Sequence, residues 1–200
     1  MRGIARLGAL LMAAAFVLGG CDKLFAPAKT PFNGVDVTGA QLGPDFLLKD
    51  PDGKERRLAD FRGKAVALFF GYTQCPDVCP TTLADMARTM KILGPDAERV
   101  QVLFVTIDPK RDTPALLKQY VPAFNPNFIG LWGDAAATAK VTRDFKIYAQ
   151  EHAGKTPDSY TMDHSAQMLV FDPKGRIRLV FGYGMEPEKM AADLKVLLNS

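Results

Sequence analysis

Between Lys64 and Gly71 the chain reads Lys-Ala-Val-Ala-Leu-Phe-Phe-Gly, an apolar run with no polar alternation. A strand with one wet face alternates apolar and polar side chains. An unbroken run therefore predicts a strand covered on both faces. A second such run spans Val100 to Ile107. Between the two, Leu83, Met86, Ala87, Met90 and Leu93 recur at helical spacing. Thr113-Pro114 supplies a cap residue and a proline at the first position of another helix. A short strand is expected around Phe128–Trp132 and a helix from Asp134 to Phe145. Gln167–Phe171 and Arg176–Phe181 form a hairpin across Asp172-Pro173-Lys174-Gly175, and Glu186–Leu198 forms a closing helix with Pro187 near its start.

Strand, helix, strand, helix, hairpin, helix is the order of a thioredoxin-like α/β domain. Two additions set this chain apart. Phe46-Leu47-Leu48 and Arg57-Leu58 flank a Pro51-Asp52-Gly53 turn, an N-terminal hairpin, and a long insertion precedes the final hairpin. The expected domain runs over residues 41–200, long enough to bury a full core. With 48% hydrophobic and 24% charged residues, the 200-residue chain has the composition of a globular protein.

The N-terminus reads as an export signal. Arg2 and Arg6 precede an apolar run from Leu7 to Leu18, short for a membrane span and suited to a signal peptide over residues 1–20. Leu18-Gly19-Gly20-Cys21 looks like a bacterial lipobox, which makes Cys21 the expected lipidated N-terminus. Residues 21–40, rich in Pro, Gly, Thr and Ala, read as a lipidated tether. The expected location is the periplasm, on the inner membrane, and Asp22 resembles a signal for retention there. Without the two signal arginines the 25 basic residues fall to 23 against 22 acidic ones, so no nucleic-acid footprint is expected.

With Cys21 lipidated, the three cysteines leave one pair, Cys75 and Cys79, in Gly71-Tyr72-Thr73-Gln74-Cys75-Pro76-Asp77-Val78-Cys79-Pro80. This segment joins a strand end to a helix start, where four-residue separation permits disulfide range. Helix N-terminal amides there favour thiolates. A thiolate is both a nucleophile for disulfide exchange and a soft metal ligand, so the loop suits either chemistry. An inert staple is the weaker reading, because closing so short a loop removes little chain entropy. His164, in Tyr160-Thr161-Met162-Asp163-His164-Ser165, lies two residues before Ala166, near the place of thioredoxin's cis-proline. That stretch packs against the redox cysteines in thioredoxin-like folds, so His164 is positioned to face the loop. His152 reads as a solvated histidine, and Met86 and Met90 as core. Two sulfurs and an imidazole suit copper, and also zinc.

Three segments carry a family resemblance: Gly71–Pro80, Val105-Thr106-Ile107-Asp108-Pro109-Lys110-Arg111-Asp112-Thr113-Pro114, and Asp163-His164-Ser165. In order and spacing they resemble the signature segments of the Sco (SenC/PrrC) proteins, over nearly all of the domain after about Gly43. The resemblance implies one copper per domain, Cu(I) or Cu(II), held by Cys75, Cys79 and His164, with Asp108 near the metal. A polar turn residue ending a strand is the equal alternative for Asp108. It further implies a metallochaperone, not primarily an enzyme, serving the binuclear copper centre of cytochrome c oxidase subunit II. The alternative function is a dedicated thiol–disulfide reductase that keeps the target's copper-site cysteines reduced by cycling the Cys75–Cys79 disulfide.

The export reading makes a direct prediction. Cys21→Ser is expected to abolish incorporation of radiolabelled lipid and to leave either uncleaved precursor or released soluble domain. Unchanged processing and labelling would overturn it.

Overall fold

The computed structural model describes residues 31–43, 45–154 and 159–200. The expected signal peptide, Cys21 and residues 22–30 lie outside the described residues. The first elements are the strands β1 (Val35–Asp36), β2 (Leu48–Lys49), β3 (Glu55–Arg56) and β4 (Ala65–Gly71), followed by helix α1 (Val78–Leu93) and β5 (Val100–Thr106). Then come helix α2 (Pro114–Tyr120), β6 (Ile129–Leu131), helix α3 (Ala135–Asp144), and strands β7 (Ala149–Ala153) and β8 (Tyr160–His164). Strands β9 (Met168–Phe171) and β10 (Ile177–Phe181) and helix α4 (Pro187–Leu198) complete the chain.

The two apolar runs are β4 and β5, and all seven residues of each are buried. They pair in parallel, with Ala65 opposite Val100 and Gly71 opposite Thr106. β6 extends the sheet in parallel beside β5, and β9 joins antiparallel on the other side of β4. The order is β1-β10-β9-β4-β5-β6, the mixed sheet of a thioredoxin-like fold. Caps act where the sequence places them. Thr113 Oγ1 accepts from the Leu116 amide at 3.2 Å, and Asp134 Oδ1 from the Ala137 amide at 2.7 Å. The N-terminal hairpin forms as the two-residue strands β2 and β3. Among the described residues no helix is long and apolar enough to cross a membrane.

Two features differ from the expectation. Residues 31–40, expected as tether, join the folded domain. β1 pairs antiparallel with β10, and the fully buried carboxylate of Asp193 on α4 grips the same segment. It accepts the Asn33 amide at 2.8 Å, the Asn33 side-chain amide at 2.8 Å and the Gly34 amide at 2.7 Å. A single distant carboxylate does this, so no local periodicity announced it. The second difference is the β7–β8 hairpin, a separate two-stranded sheet in the insertion. Four of the five β7 residues are exposed and polar or small, so that strand carries no apolar signal. His164 is the last residue of β8.

Asp193→Ala leaves several amide donors without their acceptor. It should destabilise the fold by about 1–3 kcal/mol and expose residues 31–40 to limited proteolysis. A denaturant midpoint and a cleavage pattern identical to wild type would contradict this role for Asp193.

Candidate metal centre

The centre sits at the carboxyl ends of β4 and β5, where an open α/β sheet offers its crevice. At Gly71, the last residue of β4, there is no room for a side chain. A Cβ there would lie 2.7 Å from Cys79 Sγ and 2.9 Å from the Phe104 ring. The chain then turns through Tyr72–Asp77 into α1, which places Cys79 in that helix's first turn, fully buried. Asp77 makes no side-chain cap to this helix. Cys75 Sγ takes that part instead, accepting the Cys79 amide at 3.4 Å, one of the free donors of the first turn. Both thiols are free, and Cys75 is the more accessible.

His164 reaches the pair from β8. Its Nε2 lies 3.4 Å from Cys79 Sγ, and Nδ1 lies 2.9 Å from the Ser165 carbonyl oxygen. A carbonyl only accepts, so Nδ1–H donates to it, and deprotonation of the ring for metal binding frees the lone pair on Nε2, the atom that faces sulfur. Phe69 and Tyr72 meet the imidazole edge-on, at centroid distances of 6.1 and 6.0 Å. One ligand atom each from Cys75, Cys79 and His164 lies within 4.8 Å of the others. Two sulfurs and one nitrogen with an oriented lone pair form a donor set for a soft or borderline ion.

Electrostatics divide the two thiols. The Cys79 thiol donates to Cys75 and holds its pKa down, to about 5, against the opposing effect of burial; the amides of Cys79 and Asp77 add to the lowering. Cys79 is pushed up by giving its proton to Cys75 and by burial. Asp112, fully buried, accepts from the Thr73 amide at 3.0 Å, from Thr73 Oγ1 at 2.6 Å and from Thr106 Oγ1 at 2.6 Å. Burial raises its carboxyl above the usual range, and its hydrogen bonds oppose that rise.

Cys75, Cys79 and His164, expected together in sequence, are thus together in space. Asp108 is buried just past β5, but its carboxylate accepts from Arg111 Nε at 2.5 Å and from the Tyr160 hydroxyl at 2.7 Å, outside the three-residue cluster. Burial, and then the bond to Asp108, push the Tyr160 hydroxyl up to about 12. His152 lies half-exposed against Asp163, 3.1 Å away, in keeping with a solvated histidine. Sequence reasoning passed over Asp112, Arg111 and Tyr160. The available signal was the alternation in Tyr160-Thr161-Met162-Asp163-His164, which turns residues 160, 162 and 164 to one half-buried face.

Comparison with known proteins gives the class. The SCO1/SenC family model matches residues 36–199. A SCO2-like protein of Rickettsia conorii is 36% identical over 156 residues, 78% of this chain and 76% of its own. The structure of Bradyrhizobium japonicum ScoI with copper bound is 42% identical, covers 78% of this chain and 99% of its own, and superposes with a TM-score of 0.72. The solution structure of apo Sco1 from Thermus thermophilus is 38% identical, covers 86% and 99%, and has a TM-score of 0.75. BsSco, described as a member of the Sco family of cytochrome c oxidase assembly proteins with a disulfide switch, shares the fold at 20% identity and a TM-score of 0.63. The chain belongs to the SCO1/SenC family.

The thiol asymmetry is measurable in the reduced, metal-free protein. Iodoacetamide should modify Cys75 well before Cys79, at a rate that holds through neutral pH and falls as pH drops toward about 5. Equal labelling of both thiols, or a rate that climbs only above pH 8, would refute this division.

Proposed function

We propose that this chain is a copper metallochaperone. The reduced Cys75 and Cys79 thiolates and His164 Nε2 hold one copper ion, which passes to the binuclear copper centre of cytochrome c oxidase subunit II during assembly. The observation that carries the reading is the imidazole. Its Nδ1 faces the Ser165 carbonyl, and its Nε2 stands 3.4 Å from Cys79 Sγ, within 4.8 Å of both sulfurs. Disulfide exchange needs two sulfurs, whereas a third oriented donor serves a metal. Two thiolates suit Cu(I), and the added imidazole accommodates Cu(II). Zinc accepts the same donors with a water; the copper-bound relative at 42% identity favours copper. Oxidation of the pair to a disulfide removes two of the three donors, so loading requires the dithiol state.

Cys75 opens into a groove of about 540 Å³, lined also by Pro76, Val78, Tyr148 and Met162, through which a partner's ligands reach the ion. A lipid on Cys21 would keep the domain at the periplasmic face of the inner membrane, beside its target.

The thiol asymmetry favours a second reading, that of a dedicated reductase. The accessible Cys75 thiolate attacks a partner disulfide and forms a mixed disulfide. Cys79 then displaces the partner thiolate, so the partner leaves reduced and the Cys75–Cys79 disulfide remains. His164→Ala separates the two readings. Copper affinity should fall by at least the roughly 10–100-fold that loss of an outer-shell partner costs, with failure to build the oxidase copper centre. Dithiol–disulfide exchange in vitro should persist. Full oxidase activity in cells carrying the variant, at normal protein abundance and without added copper, would favour the reductase.

A further inference from the structure

The three donors lie on two pieces of chain that no sheet joins. Cys75 and Cys79 follow β4 in the main sheet, whereas His164 ends β8, which among the described residues pairs with β7 alone. Past His164 the chain runs through residues 165–167 into β9, whose Met168 pairs with Phe69 of β4. The backbone thus holds the histidine near the sulfurs, and side-chain contacts set how the imidazole stands over them. The Met162 amide of β8 donates to the Tyr72 hydroxyl beside the cysteine loop, at a long 3.4 Å.

The turn between β5 and α2, residues 108–112, touches both pieces. Toward the cysteines, Asp112 holds Thr73 through its amide and its hydroxyl, and Arg111 Nη1 donates to Gln74 Oε1 at 3.2 Å, next to Cys75. Toward the histidine, the same Nη1 donates to the Tyr160 carbonyl at 2.9 Å, and the guanidinium stacks 3.5 Å from the Tyr160 ring centroid. Asp108, 2% exposed, holds Arg111 Nε on one side and the Tyr160 hydroxyl on the other. Lys110 reaches Glu151 of β7 at 2.7 Å. A guanidinium suits this junction because it is planar, permanently charged and donates in several fixed directions at once; a lysine ammonium does not reproduce that fork or the stacking.

We propose that Arg111 is a positioning residue of the copper site. Backed by Asp108 and Tyr160, it clamps the cysteine loop to the histidine strand and sets the placement of His164 Nε2 over Cys75 and Cys79. Tyr160 and His164 share one face of the same five-residue strand, so fixing its first residue fixes the approach of its last. The inference rests on the copper-binding reading. It gives Asp108 a place near the metal without making it a ligand.

A double-mutant cycle tests the clamp. Cu(I) affinity is measured by competition with a chromophoric chelator for Arg111→Lys and Tyr160→Phe, each in the wild-type and the His164→Ala backgrounds. Thiolate-to-Cu(II) absorption and the thermal midpoint are recorded for every variant. Arg111→Lys should weaken copper roughly 10-fold with His164 present. With His164 already removed, the same change should matter less than about twofold, because the group it places is gone. Tyr160→Phe removes one hydroxyl and keeps the stacked ring, so it should show the same pattern more weakly, even if Arg111→Lys folds poorly. Equal losses in both backgrounds, or no loss in either, would overturn the clamp while leaving copper binding intact. If wild type and His164→Ala bind copper equally, the copper reading itself fails, and that outcome is distinct from failure of the clamp alone.

Discussion

The parallel pairing of β4 with β5 is the constraint on which the rest of the molecule depends. Both strands are buried along their whole length, so neither can shift register without driving an apolar side chain against a neighbour already close-packed. Seven consecutive pairs, from Ala65 with Val100 to Gly71 with Thr106, bring the two strands to an end at the same level. The segments that leave them, the cysteine loop and the Asp108–Asp112 turn, must then emerge side by side. Thr106, the last residue of β5, donates its hydroxyl to Asp112, which in turn holds Thr73. A contact between residues 39 positions apart thus follows from strand pairing.

Within that frame the two cysteines are made unequal by depth. Cys79 is sealed in the first turn of α1 against Gly71, and Cys75 stands nearer the surface where amides and a thiol proton stabilise its charge. A buried protonated sulfur beside a half-buried anionic one suits stepwise exchange with a partner. The same pair, once both protons have left, presents two soft donors to one ion. His164 is added from a different sheet, and its ring is fixed by a carbonyl behind and aromatic edges beside it. One geometry therefore supports both a metal-holding and a disulfide-exchanging chemistry, and the imidazole is the part that only the first requires.

The sequence by itself determined the elements with strong local signals. The two unbroken apolar runs specify doubly covered strands, Thr113 and Asp134 specify helix starts, and the Cys-Pro-Asp-Val-Cys spacing specifies a loop entering a helix. These are short-range rules of sterics, capping and burial, legible in a window of a few residues. The order of these elements also determined the fold class, and the three matching segments pointed to Cys75, Cys79 and His164. Tertiary structure alone decided that residues 31–40 lie in the domain, because their anchor is Asp193, some 160 positions away along the chain. It alone paired β7 with β8, because β7 is largely exposed and carries no apolar stripe, and only β8 alternates. It also decided what Asp108 does. A carboxylate at a strand end looks the same in sequence whether it meets a metal, water or a guanidinium; Arg111 is three residues away, but the bond to Tyr160, 52 positions on, exists only once β8 lies against the turn.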